Sequence, residues 1–220
     1  MKSTDKMKYR YIFFDLDGTI TQSEFGIIAS ATYALSKFGI EEQDKSKLLR
    51  FIGPPLYYSF EKYYGICGSK ADEAIKYFRE YYEADAYKDA PVFEGIPDVL
   101  ESLSKEEISL LVVTSKPKRM AKRVIEHTGL TDYFYEIVGP SDEMTDPSKA
   151  DLIRTAIEIT GADPSEVLMI GDRNYDIEGA NDVGVDSAGA IYGYGTRTEL
   201  ELAGATYLVE TPMDILKIIQ

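Results

Sequence analysis

The chain has 220 residues, with 24 Lys and Arg against 38 Asp and Glu, and a net charge of −14. That excess of acid argues against nucleic-acid polymers and anionic membranes as partners, since both are polyanions. One Cys and one His exclude an intramolecular disulfide, a Cys-based zinc site and any centre built from several imidazoles. The length suits one large domain or a core with a smaller insertion, and the composition is that of a soluble globular protein. Without paired cysteines, a cytoplasmic location is expected. The N-terminal Lys2, Lys6, Lys8 and Arg10 precede an apolar stretch that ends at Asp15, too short for a signal-peptide core.

The first predicted strand is Tyr11–Phe14, and the segment after it changes character. Helical spacing runs over Gly26–Phe38, continues through Lys45–Phe51 until Gly53-Pro54-Pro55, and resumes over Leu56–Tyr64 and Ser69–Tyr87. Further apolar runs then read as strands at Leu110–Val113, Tyr135–Val138, Val167–Ile170, Ser187–Ile191 and Thr206–Val209. Helices are predicted between and after them at Ile96–Leu103, Lys118–His127, Lys149–Thr160, Tyr175–Val183 and Pro212–Ile219. Continuous rather than alternating apolar runs suit strands covered on both faces. Strands alternating with helices predict an α/β fold, a Rossmann-like doubly wound parallel sheet with an inserted all-helical domain. The expected division is residues 1–20 and 89–220 for the sheet domain and 21–88 for the insertion. Charge separates the two, because residues 20–88 carry a net −1 and the remainder −13.

Two strand ends carry paired carboxylates. The first strand runs into Asp15-Leu16-Asp17-Gly18-Thr19, and the Val167–Ile170 strand runs into Gly171-Asp172-Arg173-Asn174-Tyr175-Asp176. Ligands of open parallel sheets bind beyond the carboxyl ends of the strands. Each stretch alone also reads as an acidic turn. Four converging carboxylates repel, and an oxygen-loving cation such as Mg2+ relieves that repulsion; Cys and His ligands for a softer metal are lacking. The strand Leu110–Val113 ends in Thr114-Ser115-Lys116, where hydroxyl and N–H groups either hold a phosphate oxygen or cap the next helix. Lys149 opens a helix, where dipole energetics disfavour a cation, so it is either a plain surface residue or one with another purpose. Lys116, Lys118, Arg119, Lys122 and Arg123 form one basic cluster, expected to be a solvated helix face. Nine of the 17 Tyr lie in residues 20–88; the spacing of Tyr77 with Tyr81 and Phe78 with Tyr82 predicts that most pack between helices. Cys67 lacks an Arg six residues on, and His127 has no Ser-His-Asp context, so neither is a nucleophilic centre.

Phe-Asp-Leu-Asp-Gly-Thr at 14–19, Val-Thr-Ser-Lys at 113–116, Pro-Ser-Lys-Ala-Asp at 147–151 and Gly-Asp-Arg-Asn-Tyr-Asp at 171–176, in this order, resemble the haloacid dehalogenase superfamily of phosphatases. The resemblance spans essentially the whole chain. It is similar to the phosphoglycolate phosphatase and 5′-nucleotidase branch with a C1-type helical cap domain, here residues 21–88. The resemblance implies a magnesium-dependent phosphatase that hydrolyses a small phosphorylated metabolite through an aspartyl-phosphate. Asp15 would be the nucleophile and Asp17 the acid and base. Asp15, Asp172 and the backbone carbonyl of Asp17 would hold Mg2+, with Asp176 acting through water or one step removed. Thr114, Ser115 and Lys149 would bind the phosphoryl group, and Arg50 in the cap is the candidate for substrate specificity. Monomer and homodimer both suit the family. A sugar-phosphate mutase, a phosphonatase using one of Lys37, Lys45, Lys47, Lys62 or Lys70, and a non-catalytic binding or regulatory protein on this fold are the alternatives.

Overall fold

A computed structural model describes residues 7–141 and 147–219; Lys2 and Lys6 of the sequence reading lie outside the described residues. Six strands form one sheet: β1 Tyr11–Phe14, β2 Ser109–Val113, β3 Glu136–Val138, β4 Val167–Gly171, β5 Asp186–Ala190 and β6 Tyr207–Val209. All neighbouring pairs are parallel, in the order β3-β2-β1-β4-β5-β6. The order reverses direction at β1, whose Tyr11 sits opposite both Ser109 and Val167. A crevice therefore opens at the carboxyl end of β1, between β2 and β4.

Period-two alternation explains the continuous apolar runs. Ile12, Phe14, Leu110, Val112, Leu168 and Ile170 point to one face, where they meet α5 Ile96–Ser104, α6 Lys118–Thr128 and α10 Asp214–Ile219. Phe13, Leu111, Val113, Val167 and Met169 point to the other, against α7 Lys149–Thr160 and α8 Asn174–Val183. Every residue of these two sets is at most 2 % exposed. The doubly wound α/β sheet of the sequence reading is thus observed.

Between β1 and α5 the chain is helical, as expected: α1 Glu24–Ser36, α2 Lys45–Leu48, α3 Leu56–Tyr64 and α4 Ser69–Ala84. These helices share their own apolar cluster, including Leu35, Phe51, Phe60, Phe78 and Tyr82, into which α6 sends Met120. Phe78 and Tyr82 of α4 stack at 5.8 Å and are buried in this cluster, while Tyr77 and the exposed Tyr81 of α4 meet Phe38 and Tyr33 at the neighbouring helix α1 and its end. The chain enters and leaves the insertion at one point, where Thr21 bridges both Asp17 and Val92.

Most bounds fall within two residues of the sequence reading, and three elements differ by more than that or in kind. Lys45–Phe51 is an α-turn that tightens into a 3-10 turn at Leu49–Phe51, ahead of Gly53-Pro54-Pro55. Ser69–Tyr87 stops being α-helical at Ala84, because Asp85 leaves helical geometry with φ −155° and ψ −27°. The short helix α9 Arg197–Leu202 escaped detection because two leucines are too few to set a period; its cap, Thr196 accepting from the Glu199 N–H, was the available signal.

Leu111 is fully buried on the α7 face of a central strand. Leu111→Ala is expected to lower unfolding stability by about 2–5 kcal/mol, with an unchanged denaturant slope, in equilibrium urea unfolding.

Candidate active site

The carboxyl ends of β1, β2 and β4 deliver Asp15, Thr114 and Asp172 to the crevice, and the first turns of α7 and α8 add Lys149 and Asp176. Helix α7 begins with a reciprocal cap in which the Ser148 hydroxyl accepts from the Asp151 N–H and the Asp151 carboxylate accepts from the Ser148 N–H. That cap fixes Lys149 in the first turn, with its side chain directed at the strand ends.

The Lys149 ammonium donates to Asp15 Oδ1 at 2.8 Å and to the Val113 carbonyl at 3.0 Å, and it pairs with Asp176 Oδ1 at 2.7 Å. Its side chain is 4 % exposed. Burial pulls this ammonium down, but Asp15 and Asp176 outweigh burial and hold it above the usual lysine range. Lys149 is therefore not a surface residue, and two carboxylates outweigh the helix dipole around its ammonium.

Asp15, Asp172 and Asp176 each bring one oxygen within 4.8 Å of the others, and all three are buried. Burial first, then the neighbouring acids, pushes Asp15 up to about 6 against the opposing pull of Lys149. Asp172 is raised well above the carboxylate range by burial, then by Asp176 and Asp15. It is fully buried, yet among the described residues it receives only a Thr19 hydroxyl at 3.2 Å and the Tyr194 N–H at 2.9 Å. No ammonium or guanidinium of the described residues forms an ion pair with it. A buried carboxylate without a cationic partner costs several kcal/mol or stays protonated. An all-oxygen set with one uncompensated charge therefore suits a hard divalent cation.

Backbone geometry permits this crowding at two glycines. Gly18 sits at φ +92°, and a Cβ there would lie 2.3 Å from Asp172 Oδ2. A Cβ on Gly195 would lie 1.9 Å from the Asp172 carbonyl oxygen. The segment Gly193-Tyr194-Gly195 therefore aims the Tyr194 N–H at Asp172; the Tyr194 hydroxyl also accepts from the Glu24 N–H at 3.0 Å, at the start of α1.

The remaining expected residues fall in different surroundings. Thr114 is buried, and its hydroxyl accepts from the Lys116 N–H at 3.2 Å, while Ser115 is exposed. The Asp17 carboxylate stands outside the cluster of three acids and pairs with Lys116 at 2.5 Å. Arg50 is exposed, with its guanidinium 5.2 Å from the Tyr63 ring centroid. Instead Arg173 links sheet and insertion, donating to the Ile52 carbonyl at 3.0 Å and to Glu199 at 2.9 Å.

The basic cluster requires a correction. Lys116 is not on a solvated face, because its side chain is only 7 % exposed, whereas Lys118 and Arg119 are 38 % and 49 % exposed. It stands two residues beyond Thr114 at a strand end, the same kind of position as the acids, and that was the missed signal. Arg119 forks onto Glu83 at 2.7 and 2.8 Å, and Arg123 donates to the Glu83 carbonyl, so this face is partly an anchor for the end of α4.

A family model of haloacid dehalogenase-like hydrolases matches residues 12–190. A 5′-nucleotidase of Pseudomonas aeruginosa is 38 % identical over 201 residues, covering 91 % of each chain. The pyrophosphatase PpaX of Bacillus velezensis is 30 % identical over 215 residues, covering 98 % of each. A hydrolase of Streptococcus pneumoniae, a haloacid dehalogenase-like family protein of solved structure, superposes with a TM-score of 0.91 at 31 % identity, covering 97 % of this chain and 99 % of the other. The chain belongs to the haloacid dehalogenase-like hydrolases. It is an enzyme of their phosphatase class, on a Rossmann-like α/β core. Among the described residues no helix is long and apolar enough to cross a membrane.

Asp172→Asn removes the uncompensated charge and keeps an oxygen acceptor. Without divalent cations, this variant is expected to melt at a higher temperature than the parent protein in differential scanning fluorimetry. The rise in melting temperature that Mg2+ gives the parent should be lost in the variant.

Proposed function

We propose that the protein is a magnesium-dependent phosphatase that hydrolyses a small-molecule phosphate monoester through an aspartyl-phosphate on Asp15. The observation that carries this reading is the buried contact of Asp15 with Lys149 at 2.8 Å, within 4.8 Å of Asp172 and Asp176 and two residues before Asp17. The named activities of the 5′-nucleotidase and pyrophosphatase relatives, both on phosphate compounds, support the substrate class.

Asp15 and Asp172, with the backbone carbonyl of Asp17, would hold Mg2+, and Asp176 would act through water. The ion supplies neutralisation of the charge spread over the phosphoryl oxygens. The protein's own groups do the rest. A carboxylate oxygen of Asp15 attacks phosphorus, forming an O–P bond as the ester P–O bond breaks. Asp17 gives its proton to the departing alcohol oxygen. A water then attacks the same phosphorus and gives a proton to Asp17, and the Asp15–phosphorus bond breaks to release phosphate. Lys149 and the Thr114 hydroxyl, joined by exposed Ser115, would orient phosphoryl oxygens. Lys149 is already oriented by three acceptors, so little reorganisation accompanies its role.

Residues 21–88 act as a cap domain on a core of residues 1–20 and 89–220. Their own apolar cluster, which takes Met120 from α6, and the entry and exit of the chain at Thr21 support motion of the cap as a unit. The near neutrality of residues 20–88 suits enclosure of an anionic ester from that side.

Asp15→Asn is expected to abolish turnover of p-nitrophenyl phosphate with Mg2+, a loss of at least about four orders of magnitude, while circular dichroism and melting show an intact fold. Turnover at the parent rate in the folded variant would remove Asp15 as nucleophile.

A further inference from the structure

Two buried ammonium groups face the crevice, and their surroundings differ. Lys149 has three acceptors, the carboxylates of Asp15 and Asp176 and the Val113 carbonyl. Lys116 has one anionic acceptor, Asp17 Oδ2 at 2.5 Å. The ring of Tyr82, from α4 of the insertion, lies 5.0 Å from the Lys116 ammonium. Among the described residues, two buried oxygens at this junction lack a hydrogen bond of good geometry: Asp17 Oδ1, and the Tyr82 hydroxyl, whose near partner, the Lys116 ammonium, can only donate and so leaves the phenol proton without an acceptor. Tyr82 is 6 % exposed. Native interiors seldom leave such atoms unpaired, and those that are left point to a missing ligand or water.

Their position identifies what is missing. Lys149 and Asp15 lie on the sheet side, where the phosphoryl group binds in the proposed reaction. Lys116 and Tyr82 lie toward the insertion, beside the residue that would protonate the leaving oxygen. When Asp17 turns to that oxygen, Lys116 loses its anionic partner, and a buried ammonium without a partner is strongly disfavoured. An anionic oxygen on the leaving group restores the pairing, and the Tyr82 hydroxyl is available to donate to the same oxygen.

We infer that Lys116 and Tyr82 form a leaving-group subsite that selects phosphate compounds whose leaving group carries a second anionic oxygen, a carboxylate or phosphate, close to the scissile oxygen. The inference rests on the phosphatase reading above, with Asp17 on the leaving-group side. It assigns substrate choice to Lys116 and Tyr82 rather than to exposed Arg50.

The test compares kcat/KM with Mg2+ for 2-phosphoglycolate and pyrophosphate against ethyl phosphate, a small ester with a neutral leaving group. The parent protein should prefer the two anionic compounds. Lys116→Met should lower kcat/KM for them between about 10- and 100-fold more than for ethyl phosphate, the size of a hydrogen bond to a charged group. Lys116→Arg should keep most of the preference. Tyr82→Phe, which retains the ring and its packing, should narrow the preference about 2- to 10-fold. An equal loss on all three compounds in Lys116→Met would overturn the inference, leaving Lys116 as a positioning residue for Asp17 alone. A parent protein that hydrolyses all three without preference overturns it as well, and leaves the phosphatase reading standing. A folded parent that turns over none of them overturns both.

Discussion

The site depends on a single constraint, the burial of several carboxylates around one ammonium. Lys149 is locked by Asp15, Asp176 and the Val113 carbonyl, and it in turn fixes the strand end of β1 against the first turns of α7 and α8. Removing one member of such a cluster leaves a buried charge unpaired, so its parts are interdependent. Among the described residues Asp172 forms no ion pair, and a hard divalent cation would offset the charge left there.

Crowding around Asp172 follows from the same constraint. Gly18 lets backbone approach that carboxylate, and Gly195 the Asp172 carbonyl oxygen, more closely than a residue with a Cβ permits. The contact that crowding makes possible, the Tyr194 N–H to Asp172, belongs to a residue whose hydroxyl reaches Glu24 at the start of the insertion. The orientation of the acidic cluster and the placement of the first inserted helix thus share one residue. Arg173 and the Arg119–Glu83 fork tie the two parts together at other points.

Much of this was legible in the sequence because the signals are local. Apolar runs long enough for one strand each located the six strands, and Asp15, Asp17, Asp172 and Asp176 follow immediately after two of them. A strand covered on both faces is uniformly apolar, so the first polar residue beyond it marks the sheet edge where ligands bind. The short helix α9 was missed because few apolar residues set its period. Lys116 was misjudged because its neighbours Lys118, Arg119, Lys122 and Arg123 do belong to a basic helix, and residue type alone cannot distinguish a buried lysine from a solvated one.

The sequence by itself determined the order of strands and helices, the helical character of the insertion and the identity of the acids, because hydrophobic period and strand-end position are properties of neighbouring residues. Only the tertiary structure decided which charges are paired. It set Lys149 between Asp15 and Asp176, gave Asp172 no ion pair among the described residues, and turned Asp17 toward Lys116 and Tyr82. Those partners stand up to 134 positions apart in the chain. Their distances depend on the parallel register of β1 with β2 and β4 and on the packing of α4, α7 and α8, which no local pattern encodes.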